Sequence, residues 1–444
     1  MALSLKTSRR SFLAGAATSL ALTKFGRAKS IDFDTAIIGA GSAGLSAARA
    51  LTKQGHSVIV LEAADRIGGR AYTESTTFGL PFDHGCSWIT GSADLAFASM
   101  AKESGFTLKN HMSASEKFFV EGQKASRSQS SAYDSAWGRL NAALAKAGKA
   151  GLDIAASEVV PQNMKYSGVC ETWIGPLDWA VDFSDLSVMD NWNSEDAEIN
   201  YMIKEGYGTL VQQLGQGLAV ELNAPVTAID WSDAGVKLET PLGQIRAKTC
   251  LITTTPAVLN SGAIRFTPKL PLWKEEAIDN LPMGMLAKVA LQFDGERFGL
   301  RRNSWLTYSV PNEMPAEACY FLSFPFDFDL MVGFVGGKFG WDLTAAGQQT
   351  AIDFALGELE KIFGHKVRSH FVKGYVTEWG SNPLTLGAYA AAKPGHHDAR
   401  NLLAMPLNDR LFFAGDTTSV PYSSLCGGAF LTGIRAAEEI RTVL

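Results

Sequence analysis

The chain has 444 residues, enough for two lobes with a large core. Its net charge is −5, and the first 28 residues hold five basic residues and no acid, so the remainder carries −10. That balance argues against a nucleic-acid partner and mildly favours a cationic small molecule. No apolar run after residue 30 is long enough to span a bilayer, so stable membrane insertion is not expected.

The first thirty residues have the order of an export signal. An arginine pair stands in Ser8-Arg9-Arg10-Ser11-Phe12-Leu13, an apolar stretch follows as far as Leu22, and the small residue Ala28 comes after Arg27. This order predicts a twin-arginine signal peptide over residues 1–30, cut after Ala28. The expected partner is then the twin-arginine export machinery, and the expected location is the periplasm. The alternative is a disordered basic tail.

The next stretch predicts a strand, a glycine-rich turn, a helix and a second strand. The apolar run Thr35 to Ile38 ends in a turn that contains Gly39, Gly41 and Gly44. Gly39 permits the tight turn, Gly41 lets the backbone approach a pyrophosphate, and Gly44 lets the helix pack close to the strand. The pattern therefore predicts a dinucleotide site.

Two further features complete that prediction. The helix N-terminus, with Ala43 in its first turn, offers free N–H groups and the positive end of its dipole to phosphates. Glu62 follows Gly44 by 18 residues and ends the second apolar run, where an acid meets a ribose hydroxyl. From these features alone the dinucleotide can be NAD or FAD.

Gly68-Gly69-Arg70 follows the acid closely. The turn, the acid and this addition together resemble the FAD-binding N-terminus of the flavin-containing amine oxidase family, which includes monoamine oxidases, polyamine oxidases and histone-demethylase-like flavoproteins. The resemblance implies FAD as cofactor, with Gly69 and Arg70 among its binding residues. The chain is identified as a bacterial exported member.

The segment from Phe82 to Gly91 is similar to the family's acid-x-Gly-Gly-x-Trp-x-x-Gly segment, which runs along the flavin ring; Cys86 replaces the second glycine. The resemblance implies that Ser87 and Trp88 contact the flavin. It also implies that Thr90 faces the substrate, because animal polyamine oxidases carry His and plant ones Glu at that position.

Residues 92–204 predict an inserted lobe, with helices at Ser92–Gly105 and Ser131–Ala150 from their apolar spacing. The stretch Leu177 to Ile203 holds seven acids and no Lys or Arg, interleaved with aromatic residues. It can form an acidic, aromatic-edged mouth that attracts an ammonium, or a solvated face over a local core.

The dinucleotide lobe is predicted to resume after this insertion. Glu205 opens a predicted helix that runs to Leu222, and four predicted strands follow: Pro225–Ile229, Val236–Glu239, Ile245–Ala247 and Cys250–Thr254. In the family this order returns the chain to the FAD domain, and the resemblance implies that Val226 touches the adenine end of FAD through its backbone.

The segment Leu281 to Val289 resembles the histone-demethylase and polyamine-oxidase branches. The family lysine before the strand Val289–Phe293 holds a water beside flavin N5, which implies a catalytic role for Lys288. Inward charge is costly, yet alternation puts Lys288 on the same strand face as Leu286 and Ala290. Further predicted elements resemble the substrate lobe: strands at Trp305–Val310, Cys319–Phe324 and Leu330–Val335, and a helix at Ala345–Phe363.

Trp379, Pro383 and Gly387-Ala388-Tyr389 follow the family pattern of Trp, then Pro, then Gly-x-Tyr. Monoamine oxidases carry a flavin-bound cysteine before that tyrosine. Ala388 stands there in this chain, which implies that FAD is noncovalent. The resemblance makes Tyr389 one wall of an aromatic cage before the flavin, and makes Trp379 and Tyr389 the residues that orient the amine.

The C-terminal segment resembles the family's second FAD motif and ends in a predicted helix to Leu444. It implies cofactor-binding roles for Gly415, Asp416, Leu425 and Cys426. Asp416 stands where a Glu usually faces the ribityl chain. Leu425 stands where monoamine oxidases carry the second cage tyrosine, so it also faces the substrate and leaves the cage half built.

The predicted fold class is α/β with an α+β substrate lobe. A Rossmann-like FAD-binding domain comprises residues 31–91, 205–265 and 400–444, and a substrate domain comprises residues 92–204 and 266–399. The expected reaction removes a hydride from the carbon next to an amine nitrogen, gives an imine, and passes electrons to dioxygen or another acceptor, with hydrogen peroxide as the product from dioxygen. No metal site is expected, because the five cysteines are scattered without ligand spacing.

Three alternatives remain open at this stage. An L-amino-acid oxidase of the same fold needs an arginine for the substrate carboxylate, and Arg265, Arg301 and Arg302 are candidates. An exported flavoprotein dehydrogenase or electron carrier need not oxidise amines at all. A desaturase acting on C–C bonds fits the segments around Lys288 and Tyr389 less well. The sequence predicts neither the amine nor the oligomeric state.

Overall fold

The computed structural model describes residues 31–92, 95–195 and 199–444. The predicted twin-arginine segment lies outside the described residues. The strands in the described part are, in chain order, β1 Ile31–Ile38, β2 Val58–Leu61, β3 Thr73–Glu74, β4 Phe82–Asp83, β5 Trp88–Thr90, β6 Leu108–Asn110, β7 Glu116–Val120, β8 Gln123–Lys124, β9 Asn200–Ile203, β10 Val220–Glu221, β11 Ala228–Asp230, β12 Val236–Thr240, β13 Gly243–Ile252, β14 Arg265–Thr267, β15 Met283–Gly284, β16 Leu286–Phe293, β17 Ser304–Tyr308, β18 Tyr320–Ser323, β19 Leu330–Gly336, β20 Phe371–Val376, β21 Tyr389–Ala390 and β22 Leu411–Phe413.

The α-helices in the same ranges are α1 Ser42–Lys53, α2 Leu95–Glu103, α3 Arg127–Lys149, α4 Ser167–Thr172, α5 Val188–Asn193, α6 Tyr207–Gln212, α7 Pro256–Asn260, α8 Leu272–Asp279, α9 Gly337–Ala345, α10 Gln348–Phe363, α11 Lys366–His370, α12 Ala399–Ala404 and α13 Cys426–Arg441. A π-helical turn, Trp173–Trp179, continues α4. Of the described helices, none combines the length and apolar character that crossing a bilayer requires.

The first sheet has the order β10-β2-β1-β13-β12-β11-β14, and β22 pairs with β13. Strands β1, β2, β10, β13 and β22 are parallel, with β1 between β2 and β13. Successive side chains of β1 enter different cores, because Ala36 and Ile38 pack on one face while Ile37 packs on the other. Parallel strands buried on both faces are typical of α/β folds, which confirms the predicted class.

Helices α1 and α13 pack tightly together against one face of the first sheet. A Cβ placed on Gly433 would lie 2.1 Å from the carbonyl oxygen of Ala43, and Ser46 donates a hydrogen bond to Phe430 O at 2.9 Å. The close approach brings the N-terminus of α13 to the glycine-rich turn that follows β1. Ser42 Oγ donates to Cys426 O at 3.0 Å across that junction.

The second sheet has the order β20-β16-β19-β18-β17-β7-β8 and is mostly antiparallel. Its core is separate from those of the first sheet and includes β16 and β19 side chains such as Val289 and Val335. A two-stranded ribbon of β15 and β21 pairs Gly284 with Tyr389 between the two sheets. The two sheets are formed by alternating stretches of the chain. The predicted domain boundaries remain predictions.

Several predicted elements have different bounds in the structure. The helix predicted to run to Leu222 ends at Gln212, and β10 begins at Val220. The predicted strands Ile245–Ala247 and Cys250–Thr254 are one strand, β13. The helix predicted at Ala345–Phe363 is α10, which begins three residues later at Gln348, because Gly347 with φ of +97° lies at its N-terminal boundary and separates it from α9.

Candidate functional site

A cavity of about 470 Å³ runs between the two sheets, from the turn after β1 to Lys288 and Tyr389. Its walls include all but one of the residues predicted for the site: Gly39, Gly41, Ala43, Glu62, Gly69, Arg70, Ser87, Trp88, Thr90, Val226, Lys288, Trp379, Tyr389, Gly415, Asp416, Leu425 and Cys426. Gly44 is the exception, because it is buried beneath the turn. The fold therefore gathers residues from distant parts of the chain around one space.

The three glycines of the turn differ in their surroundings. Gly39 has a φ of +101°, which favours glycine. A Cβ on Gly44 would lie 2.0 Å from the carbonyl oxygen of Gly39, so α1 packs too close to the turn for any side chain there. A Cβ on Gly41 would meet no protein atom within 4 Å. The space at Gly41 thus belongs to the cavity, where a ligand can approach the backbone.

Glu62 holds the turn from the end of β2. Its Oε2 accepts a hydrogen bond from Ala40 N at 2.6 Å, and its Oε1 accepts one from Ala64 N at 2.8 Å. A carboxylate has about four acceptor positions, so both oxygens can still accept from a ligand hydroxyl. The geometry is compatible with the predicted contact of Glu62 to a ribose hydroxyl. Glu62 also stabilises the glycine-rich turn.

Arg70 and Asp416 form an ion pair in the cavity wall. Arg70 Nη1 donates to Asp416 Oδ2 at 3.1 Å, and Nη2 pairs with Oδ1. Arg70 Nη1 also donates to Ala388 O at 2.7 Å. Asp416 raises the pKa of the Arg70 guanidinium against the opposing effect of burial. The pair joins the segment after β2 to both C-terminal motifs.

Polar groups without partners line the same cavity. The hydroxyls of Thr254 and Ser424 are buried in its wall and make no hydrogen bond among the described residues. The backbone N–H and C=O of Val226 also have no hydrogen-bond partner in the described part of the chain. Buried polar groups are rarely left unsatisfied. Their arrangement fits a long polar ligand such as a flavin dinucleotide.

Lys288 is buried on β16 with its ammonium against the segment 83–87. Its Nζ donates to Asp83 O at 2.7 Å, to Gly85 O at 2.6 Å and to Ser87 Oγ at 2.6 Å. Desolvation lowers its pKa to about 8, while the nearby Asp83 opposes the shift. An ammonium has three donors, and all three are used here. A water held by Lys288, as the resemblance implies, must therefore replace one of these acceptors.

Trp379 presents its ring to the cavity rather than a polar hydrogen. Its Nε1 donates to His84 O at 3.0 Å, which uses its single donor. The ring lies 3.2 Å from the position that a Cβ on Gly85 would take. If Trp379 orients the amine nitrogen, as predicted, it does so through contact with its ring, because its N–H is already used. Its N–H instead fixes the segment that accepts from Lys288.

Tyr389 is held in the cavity wall by the π-helical turn. Its hydroxyl donates to Leu177 O at 3.1 Å. Burial raises the pKa of Tyr389, with Asp178 adding to the shift. Asp178 itself remains accessible, yet desolvation raises its pKa to about 7. Asp178 is not among the residues that line the cavity, so it acts on Tyr389 as a nearby charge at an exposed position.

The other substrate-side residues give the cavity one aromatic wall. Trp88 donates from Nε1 to His111 Nδ1 at 3.2 Å, and its ring centroid lies 5.9 Å from that of Phe334. Thr90 and Leu425 line the same space without adding a ring. The cavity thus lacks an aromatic side chain at the Leu425 position, as the sequence predicts.

The acidic stretch does not form one uniform mouth. Asp190 is fully buried and paired with Arg400, Asp182 accepts from Lys338 N at 3.1 Å, and Glu195 accepts from the Tyr422 hydroxyl at 2.7 Å. Two of its acids lie outside the described residues. Of the described acids in this stretch, Asp178 is the one whose charge acts on Tyr389.

Sequence reasoning missed several residues of this cavity. Arg66 lines it, donates to Gly69 O at 2.9 Å and lies over the ring of Tyr72 at 3.9 Å. Phe334 faces it from β19 because that strand pairs Phe334 with Lys288. The closeness of Arg66 to Gly68-Gly69-Arg70 in the sequence could have indicated that Arg66 belongs to the site. No feature of the sequence indicates the register of β16 against β19.

The family model of flavin containing amine oxidoreductases matches residues 42–441. The chain belongs to this family. It is 28% identical over 446 residues to polyamine oxidase 4 of Oryza sativa subsp. japonica, covering 91% of this chain and 88% of that protein. It is 26% identical over 439 residues to lysine-specific histone demethylase 2 of Homo sapiens, covering 91% of this chain and 53% of that one.

Solved structures support the same fold. Putrescine oxidase bound to putrescine superposes with a TM-score of 0.78 at 21% identity, covering 93% of this chain and all of that one. The flavin amine oxidase is therefore an oxidoreductase that uses a flavin to oxidise amines, as the sequence predicted. The structure does not favour the amino-acid-oxidase alternative. The arginines proposed to bind a substrate carboxylate, Arg265, Arg301 and Arg302, do not line the described cavity.

Proposed function

We propose that the protein binds FAD noncovalently along the cavity and oxidises an aliphatic amine that carries a second positive charge. The observation that carries the proposal is the continuity of one cavity from the glycine-rich turn and Glu62 to Lys288, Trp379 and Tyr389. When bound there, FAD accepts a hydride from the carbon next to the amine nitrogen and delivers the electrons to dioxygen.

Residues of the first sheet hold the dinucleotide. The N-terminus of α1 and the open backbone at Gly41 receive the pyrophosphate, because helix N-termini stabilise anions. Glu62 accepts from a ribose hydroxyl, and the free backbone groups of Val226 meet the adenine. Ala388 offers no thiol for a covalent bond, so acid denaturation should release the flavin into solution.

Residues of the second sheet and the ribbon position the amine. The rings of Trp379 and Tyr389 form an apolar wall that disfavours a cation, so the reacting nitrogen enters in its neutral form. Asp178 places a carboxylate beside Tyr389 for the second ammonium of the substrate. The similarity of this chain to proteins named polyamine oxidase and putrescine oxidase agrees with a preference for such an amine. Lys288 supplies a fixed positive charge at the reacting end.

The test is an anaerobic reduction screen with an aliphatic diamine, a monoamine of equal length and an L-amino acid. We expect the diamine to bleach the flavin fastest and the L-amino acid to leave it oxidised. Admission of air should then restore the colour with formation of hydrogen peroxide. A flavin that no amine bleaches would overturn the proposal and leave an electron carrier as the explanation.

We also propose that residues 1–28 direct export through the twin-arginine pathway. The support is the order of arginine pair, apolar run and small residue. This pathway carries folded proteins, which suits a chain whose cofactor is enclosed between two sheets.

A further inference from the structure

A second, smaller cavity also has Lys288 in its wall. It encloses about 60 Å³, and a space of that size admits a small molecule such as water or a diatomic gas. One part of its wall is apolar, with Leu330 and Val332 on β19 and Leu322 on β18, and Asp83, Lys204 and Lys288 add charged side chains. Its outer wall is the turn at Phe326 and Phe328, which are partly exposed.

The two cavities meet at four residues: Ser87, Trp88, Lys288 and Phe334. Leu330, Val332 and Phe334 alternate along β19 and share one strand face. Phe334 pairs with Lys288 in the register of β16 and β19, and the ammonium lies 6.0 Å from the ring centroid of Phe334. One strand face therefore leads from the outer turn to the buried ammonium.

The turn at the outer end has an unusual backbone. Phe324, Phe326 and Asp327 have φ values of +47°, +54° and +68°, a region that non-glycine residues rarely adopt. Such conformations persist only where the surrounding structure imposes them, and they cluster at functional sites. The Phe326 N–H donates to Asn303 Oδ1 at 2.8 Å, which fixes the backbone of the turn at this residue.

We propose that this second cavity is the route by which dioxygen reaches the reaction site, separate from the entrance of the amine. The inference rests on the proposed function. An amine that occupies the large cavity blocks that way to Lys288, whereas the small cavity reaches Lys288 past Leu330 and Val332, which do not line the large one. That apolar stretch would cost an ammonium its hydration and costs a neutral gas nothing comparable, so it favours dioxygen over the amine.

The reaction of dioxygen at the junction of the two cavities balances in electrons and protons. Dioxygen takes up two electrons from the reduced cofactor and two protons, and leaves as hydrogen peroxide. Negative charge develops on dioxygen as the first electron arrives. The Lys288 ammonium is fixed near the junction by its three hydrogen bonds, so its positive charge stabilises that developing charge through space.

The experiment fills the cavity and measures reoxidation separately from amine oxidation. In Val332→Phe and, independently, Leu330→Phe, the added ring occupies the small cavity. Enzyme reduced with dithionite is mixed with oxygenated buffer in a stopped-flow instrument. We expect the second-order rate constant for reoxidation to fall about tenfold in both variants. Anaerobic reduction by the diamine should stay within about twofold of the unmodified protein.

Val372→Phe is the matched control, because Val372 is exposed on β20 of the same sheet. It should leave both half-reactions unchanged. Xenon-pressurised crystals give a readout without turnover: xenon should bind in the small cavity of the unmodified protein and be absent in Val332→Phe. Normal reoxidation in both filled variants, with xenon displaced, would overturn the route. Because dithionite replaces the amine, this outcome is independent of whether any amine reduces the flavin.

Discussion

Lys288 shows how the surroundings of one residue set its chemistry. A buried lysine is costly unless its ammonium is fully hydrogen-bonded. Two carbonyl oxygens and one hydroxyl meet that need, and they come from the segment next to the predicted flavin position. The fold therefore keeps a positive charge in the interior at neutral pH, with a pKa lowered by desolvation to about 8.

Lys288→Met should slow reoxidation of the reduced flavin by dioxygen about a hundredfold, because removal of a preorganised charge typically costs that much. In the unmodified protein the rate constant should be highest below pH 8 and fall as the pH rises through about 8, because the ammonium then loses its proton. The measurement is stopped-flow reoxidation between pH 6 and about 10.

The variant should show a low rate with no step near pH 8. Lys373→Met, an exposed lysine on the same sheet, should retain the normal profile. A step near pH 8 that persists in Lys288→Met would assign it to another group.

Asp178 is the residue whose charge should decide substrate preference. Its pKa is raised to about 7 by desolvation from the surrounding protein atoms, although the residue is accessible, so the carboxylate is charged above that pH and neutral below it. The KM for a diamine should therefore fall as the pH rises through about 7, and Asp178→Asn should raise the KM about tenfold above pH 7 only.

Taking the ratio of KM values between variant and unmodified protein at each pH cancels the titration of the diamine itself. The exposed Asp185→Asn is the control and should leave the ratio at one. A diamine KM that is unchanged in Asp178→Asn at every pH would contradict the assignment.

At the scale of elements, the strand–turn–helix unit of β1 and α1 separates packing from ligand binding. Gly44 is required by the contact of α1 with the turn, whereas Gly41 touches no protein atom that a methyl group would disturb. The sequence pattern gives both glycines the same weight. The structure separates them: Gly44 is needed for packing within the protein, whereas the space at Gly41 is open to a ligand.

Gly41→Ala should leave the apoprotein as stable as before and weaken FAD binding at least about tenfold. Gly44→Ala should lower the free energy of unfolding of the apoprotein by about 1–3 kcal/mol, because the new methyl group forces α1 away from the turn. The measurements are thermal unfolding of apoprotein and titration with FAD. Equal loss of apoprotein stability in the two variants would contradict the distinction.

A glycine also explains where one predicted helix begins too early. The helix expected from Ala345 to Phe363 begins at Gln348, because Gly347 takes a positive φ at its N-terminal boundary. Apolar spacing does not fix a helix boundary to the residue, so periodicity alone could not reveal it. Segments with a clear strand–turn–helix order, such as β1 to β2, were predicted closely because their local signals agree.

For the molecule as a whole, Asp190 and Arg400 form a fully buried junction. Arg400 Nε donates to Asp190 Oδ1 at 2.6 Å and its Nη2 to Oδ2 at 2.7 Å. The same guanidinium donates to Ala390 O at 2.9 Å and to Thr417 O at 3.2 Å. The pair thus joins the inserted segment to the strand of Tyr389 and to the C-terminal motif.

Arg400→Met should lower the free energy of unfolding by about 3–5 kcal/mol, because it leaves the Asp190 carboxylate buried and unpaired. The double variant Asp190→Leu with Arg400→Met should recover part of that loss, since no uncompensated charge remains. Chemical denaturation of the apoprotein measures both. If the free energy of unfolding falls in the double variant by the sum of the losses in Asp190→Leu and Arg400→Met alone, the two side chains are not coupled.

The N-terminal segment carries the prediction about cellular location. Replacing Arg9 and Arg10 by lysine keeps the charge and removes the arginine pair, so FAD-loaded protein should accumulate in the cytoplasm. Cell fractionation of the variant against Arg27→Lys, which lies outside the pair, measures the effect. Equal export of both variants would remove the twin-arginine assignment.

The sequence by itself determined the family, the dinucleotide turn and a set of residues that nearly all lie in the cavity wall, because glycine spacing, Glu62 and the tryptophan and tyrosine segments are local patterns. Only the tertiary structure decided how those residues act. The donors of Lys288 and Trp379 are directed to three backbone carbonyls and one hydroxyl of the segment 83–87, which lies far from both in the chain. Asp178 lies near Tyr389, and Phe334 beside Lys288, through helix packing and strand register. Such contacts join residues that are distant in the chain, and no local pattern records them.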